Sequence, residues 1–586
     1  MSRLPRSLVV GVLMVVVGAL HVYPDLRFLW ELGPQYAGIH FIAAVDETTY
    51  LSRISRVLAG SYRLGNAMIW EHRDDPFTYA PLPEYVEGTI GRALGLSIAG
   101  VDIVATALLP PVIFSLFFLL VRDLTGRFGL WLVGGLVLTF GQYLVAKQTP
   151  LLQGRLYDPS FPHSLQFVRP VSPQFHYVVF LLALWLLYRV YAGRAGAKGR
   201  IAAGLTWGLA FYLNFFFWTF LAAGLVLWTL EAVARGERWR WQAALSVLVI
   251  GVLVGSYYFV NAAWATALDG FAEAWLRGGV VYTRQPILPA LHIAWLVLFG
   301  AWFVSHRDHA PARFVLVFLV AGLLCLNQQL LTGWTVQPFH WETQTNKVLM
   351  LLGLFVVAGT GLRRLEARAT WERLRPVVGL SGGAVAAIAI AHAGLVQENY
   401  YRVNRSTYAG LQELGPALAW LRQATPADAV VLANPAVPRR SELITVYGQR
   451  YAYVSEPFFN VSLVPQREVD DRYLVAMWIF GFDEAGLQRV LQHGGGTLFF
   501  GMHALPGYHR GDDRAIREHL VQIGERYRQF AAGGEPSPIP RRYRLDYLLV
   551  SADERPRIRE GVAGATREVY ADGRFQILAL QRWRTS

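Results

Sequence analysis

Long apolar runs, each near the length of a membrane-spanning helix, constrain this chain more than any other feature. A helix of about 20 apolar residues crosses the hydrocarbon core of a bilayer, and about eleven runs approach that length. They lie at about 7–23, 101–121, 128–146, 174–192, 201–214, 215–233, 241–262, 288–305, 314–331, 348–361 and 376–395. The 586 residues are 54% hydrophobic, which few soluble domains sustain. The sequence therefore predicts a mainly α-helical, polytopic membrane protein with about eleven transmembrane helices.

The connections between these runs are basic in an alternating pattern. Clusters of arginine and lysine lie at 3–6, 122–127, 189–200, 235–240, 307–313 and 363–375. Basic connections stay on the cytoplasmic side, which predicts a cytoplasmic N-terminus and, with an odd number of spans, an extracytoplasmic C-terminus. The run 201–233 must then cross and return, with a turn near Asn214. Membrane orientation also explains the net charge of +13, so we expect no nucleic-acid partner. The expected location is a bacterial or archaeal plasma membrane.

The C-terminal part of the chain has a different character. From about residue 396 no further run is long enough to cross a membrane, and strand-like and helical patterns alternate. Strands are predicted at 429–433, 443–454, 497–500, 545–550 and 575–580, and helices at 411–423, 484–492 and 513–530. The predicted domains are a transmembrane module at 1–395, with a large first outer loop at 24–100, and an extracytoplasmic soluble α/β domain at 396–586.

The first outer loop contains two adjacent carboxylates, Asp46 and Glu47, at the start of a helical pattern. Apolar residues recur at helical spacing from Tyr50 to Leu58, and Gly60 follows as a stop signal. An amphipathic helix between two apolar spans is expected to lie flat at the membrane surface. Asp is also a favoured N-cap residue, so capping is the alternative to a catalytic role for Asp46.

With Tyr50, the segment 53–58 and the segment 79–85, the Asp46–Glu47 pair resembles the first outer loop of the GT-C glycosyltransferases. The protein O-mannosyltransferases and the lipid A aminoarabinose transferases are the nearest comparison. The resemblance covers about the first hundred residues as motifs and the rest as architecture. It implies that Asp46 is catalytic and that the donor is a sugar on a polyprenyl phosphate in the membrane. We predict Glu47, beside it, as a second catalytic residue. The segment 80–84 departs from the aminoarabinose branch, so the acceptor stays open among glycan, lipid and protein.

Basic side chains also occur in the outer connections, where orientation disfavours them. The planar, permanently charged guanidinium suits phosphate oxygens, so Arg169, Arg284 and Lys347 are predicted to bind the lipid phosphate of the donor. Pro170 adjoins the first of these residues and Pro286 follows the second closely, which restricts the backbone there. An ordinary loop cation near lipid headgroups is the alternative at each position.

Further outer residues are candidates for an acceptor cleft and a metal site. Sugars stack on aromatic rings while carboxylates accept their hydroxyl groups, which predicts a cleft containing Glu71, His72, Asp75, Tyr79, Glu84 and His340. Asp46, Asp158 and His340 offer the oxygen and imidazole ligands that suit a divalent metal ion. The oligosaccharyltransferase branch resembles this arrangement in using acidic residues of the first two outer loops. Here the second loop has no Asp-x-Asp pair, so metal dependence stays open.

The sequence thus predicts an inverting glycosyltransferase that uses a polyprenyl-phosphate sugar on the outer face. The alternative is a non-enzymatic membrane protein, either a lipid or polysaccharide transporter or a receptor with an outer domain. Transport routes usually place ionisable residues inside the spans, and these spans are nearly free of them. A receptor would tolerate the loss of Asp46.

Overall fold

The computed structural model describes residues 5–44, 46–141, 164–455, 463–492, 513–532 and 542–580. Contacts divide the chain into two compact units. The first unit comprises Met1–Glu31, Asp102–Tyr258 and Tyr282–Ser406, and the second comprises Leu32–Val101, Phe259–Val281 and Thr407–Ser586. The second unit therefore joins the first outer loop to the C-terminal part of the chain. Independent folding of 396–586 stays a prediction.

Helices dominate the first unit. Those lying wholly or partly in it are Arg6–Leu32, Ile98–Thr125, Phe128–Phe140, His176–Tyr191, Ala197–Leu209, Phe215–Ala234, Arg238–Val254, Ser256–Thr266, Ala290–Val304, Ala310–Leu326, Gln329–Thr332, Lys347–Glu366 and Trp371–Leu411. Wider π-helical turns precede two of these helices, at Pro170–Phe175 and Trp341–Asn346. Each of the eleven predicted apolar runs thus contains helix in the described part of the chain.

Fewer of these helices qualify as membrane spans than the sequence predicts. Among the described residues, seven are long and apolar enough to cross a membrane, or eight if Arg238–Val254 and Ser256–Thr266, bent by 49°, form one span. Three predicted spans correspond to helices of 13, 13 and 15 residues, namely Phe128–Phe140, Ala197–Leu209 and Ala290–Val304. At about 1.5 Å per residue they fall short of a hydrocarbon core of about 30 Å. The protein is an integral membrane protein with several apolar spans, whereas the predicted orientation stays a prediction.

The predicted interruption of the run 201–233 is confirmed. Helix Ala197–Leu209 ends in a tight turn at Ala210–Tyr212, and helix Phe215–Ala234 begins after Asn214. The Asn214 side chain accepts a hydrogen bond from the Phe216 amide at 3.2 Å. Asparagine is a favoured N-cap residue for this reason, so a local cap sets the position of the break.

The second unit contains a mixed β-sheet. In chain order the strands among the described residues are β1 (Val280–Tyr282), β2 (Trp334–Val336), β3 (Val430–Ala433), β4 (Tyr451–Ala452), β5 (Tyr547–Ser551), β6 (Thr566–Ala571) and β7 (Phe575–Leu580). The last five form one sheet in the order β4-β3-β5-β7-β6. Strand β3 pairs in parallel with β4 and β5, whereas β7 pairs antiparallel with β5 and β6. This sheet confirms the predicted α/β character of the C-terminal part.

Helices Gly415–Ala424 and Arg440–Val446 pack against this sheet, and other helices of the second unit belong to the first outer loop. The bounds of the helices in this unit are Glu47–Leu58, Leu82–Ala93, Phe271–Arg277, Gly415–Ala424, Arg440–Val446, Gln466–Ile479, Glu484–Gln492, Asp513–Ala532 and Glu560–Ala563. The strand predicted at 443–454 is wrong for most of its length, because Arg440–Val446 is helical and only Tyr451–Ala452 is extended. A short apolar run fits a buried helix as well as a buried strand. The strand predicted at 497–500 lies outside the described residues.

Helix Glu47–Leu58 is buried inside the second unit, which contradicts the predicted position at a membrane surface. Helix Leu82–Ala93 packs against it at Gly88, where a Cβ would lie 2.6 Å from the Val57 Cβ. On another face the Ser52 hydroxyl lies 2.7 Å from the Thr445 hydroxyl of helix Arg440–Val446. The polar face of Glu47–Leu58 is therefore satisfied by protein hydrogen bonds and is not solvated as in an interfacial helix.

Candidate functional site

Asp46 occupies the N-cap position of helix Glu47–Leu58 without acting as a side-chain cap. Its backbone φ and ψ are −71° and −16°, and its carboxylate makes no capping hydrogen bond. The main-chain carbonyl of Asp46 accepts from the Thr49 amide at 3.2 Å. The side chain is half-buried. Capping, the alternative to a catalytic role, therefore does not account for an aspartate here.

Glu47, the second carboxylate of the pair, is a structural acceptor. Its side chain is 1% exposed. One carboxylate oxygen accepts from the Ala43 amide at 2.6 Å and from the Ala44 amide at 3.3 Å. These bonds fold the preceding loop back onto the first turn of the helix. Glu47 thus fixes the backbone on both sides of Asp46.

Arg53 connects Asp46's helix to two other predicted site residues. Its guanidinium donates to the Tyr79 carbonyl at 3.0 Å and to the Glu84 carboxylate at 3.2 Å. Burial raises the pKa of Tyr79, an effect that Arg53 opposes and the Asp46 carboxylate reinforces. Asp46 and Tyr79 therefore lie within electrostatic reach of one another.

Glu84 lies inside the protein. Its side chain is almost fully buried beside Arg53, and burial raises the pKa of Glu84 although the guanidinium opposes this shift. A carboxylate in this position holds segment 79–84 against the helix that follows Asp46. Its predicted contact with a sugar stays a prediction.

His72 and Asp75 form a charged cluster with the C-terminal part of the chain. The His72 Nδ1 lies 2.7 Å from an Asp75 carboxylate oxygen, and Nε2 lies 3.3 Å from Glu468. Burial alone lowers the pKa of His72, but the hydrogen bonds to these two carboxylates outweigh it and raise the pKa to about 9. His72 is therefore an imidazolium at neutral pH.

Glu71 joins the same cluster through a buried arginine. Arg472, whose side chain is 1% exposed, donates to Glu71 at 2.6 Å and to Glu468 at 2.8 Å. Its guanidinium also lies over the ring of Tyr543, 4.1 Å from the centroid. Glu71 and His72 are thus fixed by partners about 400 positions later in the chain, and Asp75 is paired with His72.

In the first unit, Arg169 acts electrostatically on His340. Arg169 precedes the turn Pro170–Phe175, whose first residue is proline. Burial lowers the pKa of His340 to about 4, and the positive charge of Arg169 contributes to this shift. The His340 ring packs edge-on against Phe216 at 4.6 Å. The charge of Arg169 therefore acts on a neutral imidazole that is in contact with an aromatic ring.

The other two predicted phosphate ligands have different surroundings. Arg284 is exposed, and its guanidinium donates to the carbonyls of Leu330 and Leu331 at 2.8 and 3.3 Å. Lys347 is exposed at the start of helix Lys347–Glu366. Arg284 therefore has the contacts of an ordinary loop cation, which is the alternative to phosphate binding given by the sequence analysis.

The predicted metal site of Asp46, Asp158 and His340 stays a prediction. No group of three or more His, Cys, Asp or Glu side chains there is arranged to hold a metal ion. Asp158 lies outside the described residues. Metal dependence therefore stays open.

Arg53 and Arg472 are ion-pairing residues next to predicted site residues, and sequence reasoning missed both. Arg53 lies on the polar face of helix Glu47–Leu58, which in the sequence indicates a solvated side chain, and its pairing depends on the segment 79–84. Arg472 follows the acidic pair Asp470–Asp471 in helix Gln466–Ile479, which the sequence analysis did not predict. Its burial depends on partners in the first outer loop, and no local pattern indicates them.

The fold is similar to two crystal structures of ArnT from Cupriavidus metallidurans. The apo structure matches with a TM-score of 0.45 and 12% identity over 95% of this chain and 98% of that chain. The structure bound to undecaprenyl phosphate matches with a TM-score of 0.45 and 13% identity over 99% of this chain and 98% of that chain. No protein-family model and no curated protein matches the sequence. At this identity and TM-score, the similarity by itself assigns neither a family nor an activity to this chain.

Proposed function

We propose that this protein is a membrane glycosyltransferase that moves a sugar from a polyprenyl-phosphate donor to an acceptor on the extracytoplasmic face. The observation that carries the proposal is the state of Asp46. This aspartate stands where the GT-C resemblance expects the catalytic residue, yet its carboxylate makes no capping bond. The adjacent Glu47 is instead occupied by two backbone amides, so the two carboxylates have separate tasks.

In this mechanism Asp46 is the general base. It removes the proton from an acceptor hydroxyl while that oxygen attacks the anomeric carbon of the sugar. The bond between this carbon and the phosphate oxygen breaks, and its electron pair leaves with the polyprenyl phosphate. A single displacement inverts the anomeric centre. A positioned base of this kind contributes about a hundredfold to ten-thousandfold to a rate.

Arg169 is the best-supported ligand for the donor phosphate. A guanidinium stays charged and offers paired donors to phosphate oxygens. Its surroundings include the neutral, partly buried His340, and charge interactions are stronger where water is scarce. Arg284 is a weaker candidate because carbonyl groups already use its donors.

We place the acceptor near Tyr79. Asp46 and the Tyr79 ring influence one another electrostatically, so an acceptor stacked on that ring would bring a hydroxyl group toward the base. The Glu71, His72 and Asp75 cluster offers further polar contacts for a sugar. Glu84, held by Arg53, would act indirectly by fixing the segment that carries Tyr79.

The experiment uses the purified protein in lipid nanodiscs with a polyprenyl-phosphate sugar carrying a radioactive label in the sugar. The proposal predicts label on an acceptor and release of an equal amount of polyprenyl phosphate. The same sugar on a nucleotide should give no product. A transporter or receptor would leave all of the label on the lipid, which would refute the proposal.

A further inference from the structure

The segment that leads into Asp46 is held by side chains of the C-terminal part of the chain. The Gln412 amide accepts from the Ala37 N–H at 2.8 Å and donates to the Ile39 carbonyl at 2.7 Å. Four residues earlier, the Tyr408 hydroxyl accepts from the Ile42 N–H at 2.9 Å and donates to the Ile42 carbonyl at 2.8 Å. Residues four apart lie on one face of a helix, so these two side chains bind one extended stretch of backbone.

Tyr408 has no hydrogen-bonding capacity left over. A hydroxyl donates once and accepts twice. Tyr408 donates to the Ile42 carbonyl, accepts from the Ile42 N–H, and accepts from the Arg439 guanidinium at 3.0 Å. The residue is 1% exposed, and its ring packs edge-on against Phe41 at 4.9 Å. Tyr408 therefore fixes Ile42 through both of its backbone polar groups, the N–H and the carbonyl.

Arg439 reaches Tyr408 from a strained backbone. Its φ is 67° and its ψ is −6°, in the left-handed region that side chains other than glycine rarely adopt. Such a residue costs about 1–3 kcal/mol and persists where the surrounding structure enforces it. It directly precedes helix Arg440–Val446, which packs against helix Glu47–Leu58 through Thr445 and Ser52. The residue with the strained backbone is therefore the one whose guanidinium binds Tyr408.

The contacts continue from Ile42 to the carboxylate pair. The amides of Ala43 and Ala44, the next two residues, donate to Glu47. The Glu47 carboxylate also acts electrostatically on the Tyr408 hydroxyl. Asp46 lies between Ala44 and the helix that Glu47 begins. The backbone of Asp46 therefore lies between two fixed segments: the one that Arg439 and Tyr408 hold at Ile42, and the helix that begins at Glu47.

We propose that Arg439 and Tyr408 are positioning residues, which hold the backbone before Asp46 in its reactive geometry. We call the set Arg439, Tyr408 and Ile42 the clamp. This inference rests on the proposed function and gives the C-terminal part of the chain a role in the chemical step. Small displacements of a reacting group can lower a rate by about a hundredfold, so loosening the clamp should lower kcat and leave the donor KM unchanged.

The test compares Tyr408→Phe and Arg439→Ala with Tyr570→Phe, a control that removes an exposed hydroxyl bonded to Asp572. We expect both clamp variants to remain folded and to lose about tenfold to a hundredfold in kcat. Arg439→Lys keeps a cationic donor and should recover part of this loss. The control should match the parent.

Hydrogen exchange of the backbone amides is measured on the same samples. Tyr408→Phe should speed exchange at Ile42, whereas the amide of Ala37, held by Gln412, should be unchanged. Unchanged exchange at Ile42, or faster exchange with an unaltered kcat, would overturn the inference. A parent protein that transfers no sugar would refute the proposed function instead, and exchange at Ile42 would then still decide whether the clamp exists.

Discussion

Arg53 and Glu84 form an ion pair at 3.2 Å with side chains that are only 2% and 1% exposed. Removing two charges from water is costly, so a pair of this kind holds its elements together only while both partners are present. Arg53 belongs to helix Glu47–Leu58, which follows Asp46. Glu84 belongs to helix Leu82–Ala93, which begins three residues after Tyr79. The pair therefore fixes the segment of the predicted catalytic residue relative to the segment of the predicted acceptor site.

Removing one partner of this pair should destabilise the protein strongly. Arg53→Ala leaves the Glu84 carboxylate buried without its countercharge, which costs about 3–5 kcal/mol. The double variant Arg53→Met with Glu84→Leu replaces both charges by apolar groups and should recover most of that loss. Chemical unfolding in detergent measures both. An Arg53→Ala protein as stable as the parent would show that water solvates the Glu84 carboxylate and that the pair is not buried.

His72 should make stability depend on pH in the alkaline range. Its pKa is raised from the usual 6.5 to about 9 in the folded protein, so protonation stabilises the fold fully below pH 6.5. This contribution disappears as the pH rises through about 9 and amounts to at most about 3 kcal/mol. Unfolding should therefore become easier between pH 6.5 and 9.5 in the parent, and His72→Gln should flatten that dependence. Equal slopes in both proteins would contradict the assignment.

Some of these features could be predicted from the sequence because their causes are local. The interruption near Asn214 follows from basic residues flanking a run too long for one helix, and the structure adds the cap that sets it. The strands at 545–550 and 575–580 are short apolar segments between turns and occur nearly as predicted, at Tyr547–Ser551 and Phe575–Leu580. Periodicity and turn residues suffice at such places.

Other features depend on distant partners and leave no local signal. The polar face of helix Glu47–Leu58 indicates a solvated helix, but Ser52 meets Thr445, which lies 393 positions away. Nothing in the sequence indicates the left-handed backbone of Arg439, because residues other than glycine rarely adopt that conformation. Asp46 could be singled out by its motif, whereas the residues that position it could not.

Arg169 and Arg284 offer a matched pair for testing the donor site. Arg169→Ala should raise the KM for the polyprenyl-phosphate sugar about tenfold or more, because a hydrogen bond to a charged group contributes about 1.5–3 kcal/mol. Arg284→Ala should change it little, since the guanidinium is bonded to the Leu330 and Leu331 carbonyls. Initial rates over a range of donor concentrations give both values. Equal effects on KM, or a larger effect of Arg284→Ala, would contradict the assignment of Arg169 as the main phosphate ligand.

The most direct test of this account is sugar transfer by the Asp46→Asn variant. Asparagine keeps the shape of the side chain, and no capping bond is lost, so the variant should fold, which its thermal unfolding temperature checks. The variant lacks the charge that accepts the proton, and its rate should fall about a hundredfold or more. Glu47→Gln, which keeps an acceptor for the Ala43 amide, should lose much less. Transfer by Asp46→Asn at the parent rate would contradict the assignment of Asp46 as the base.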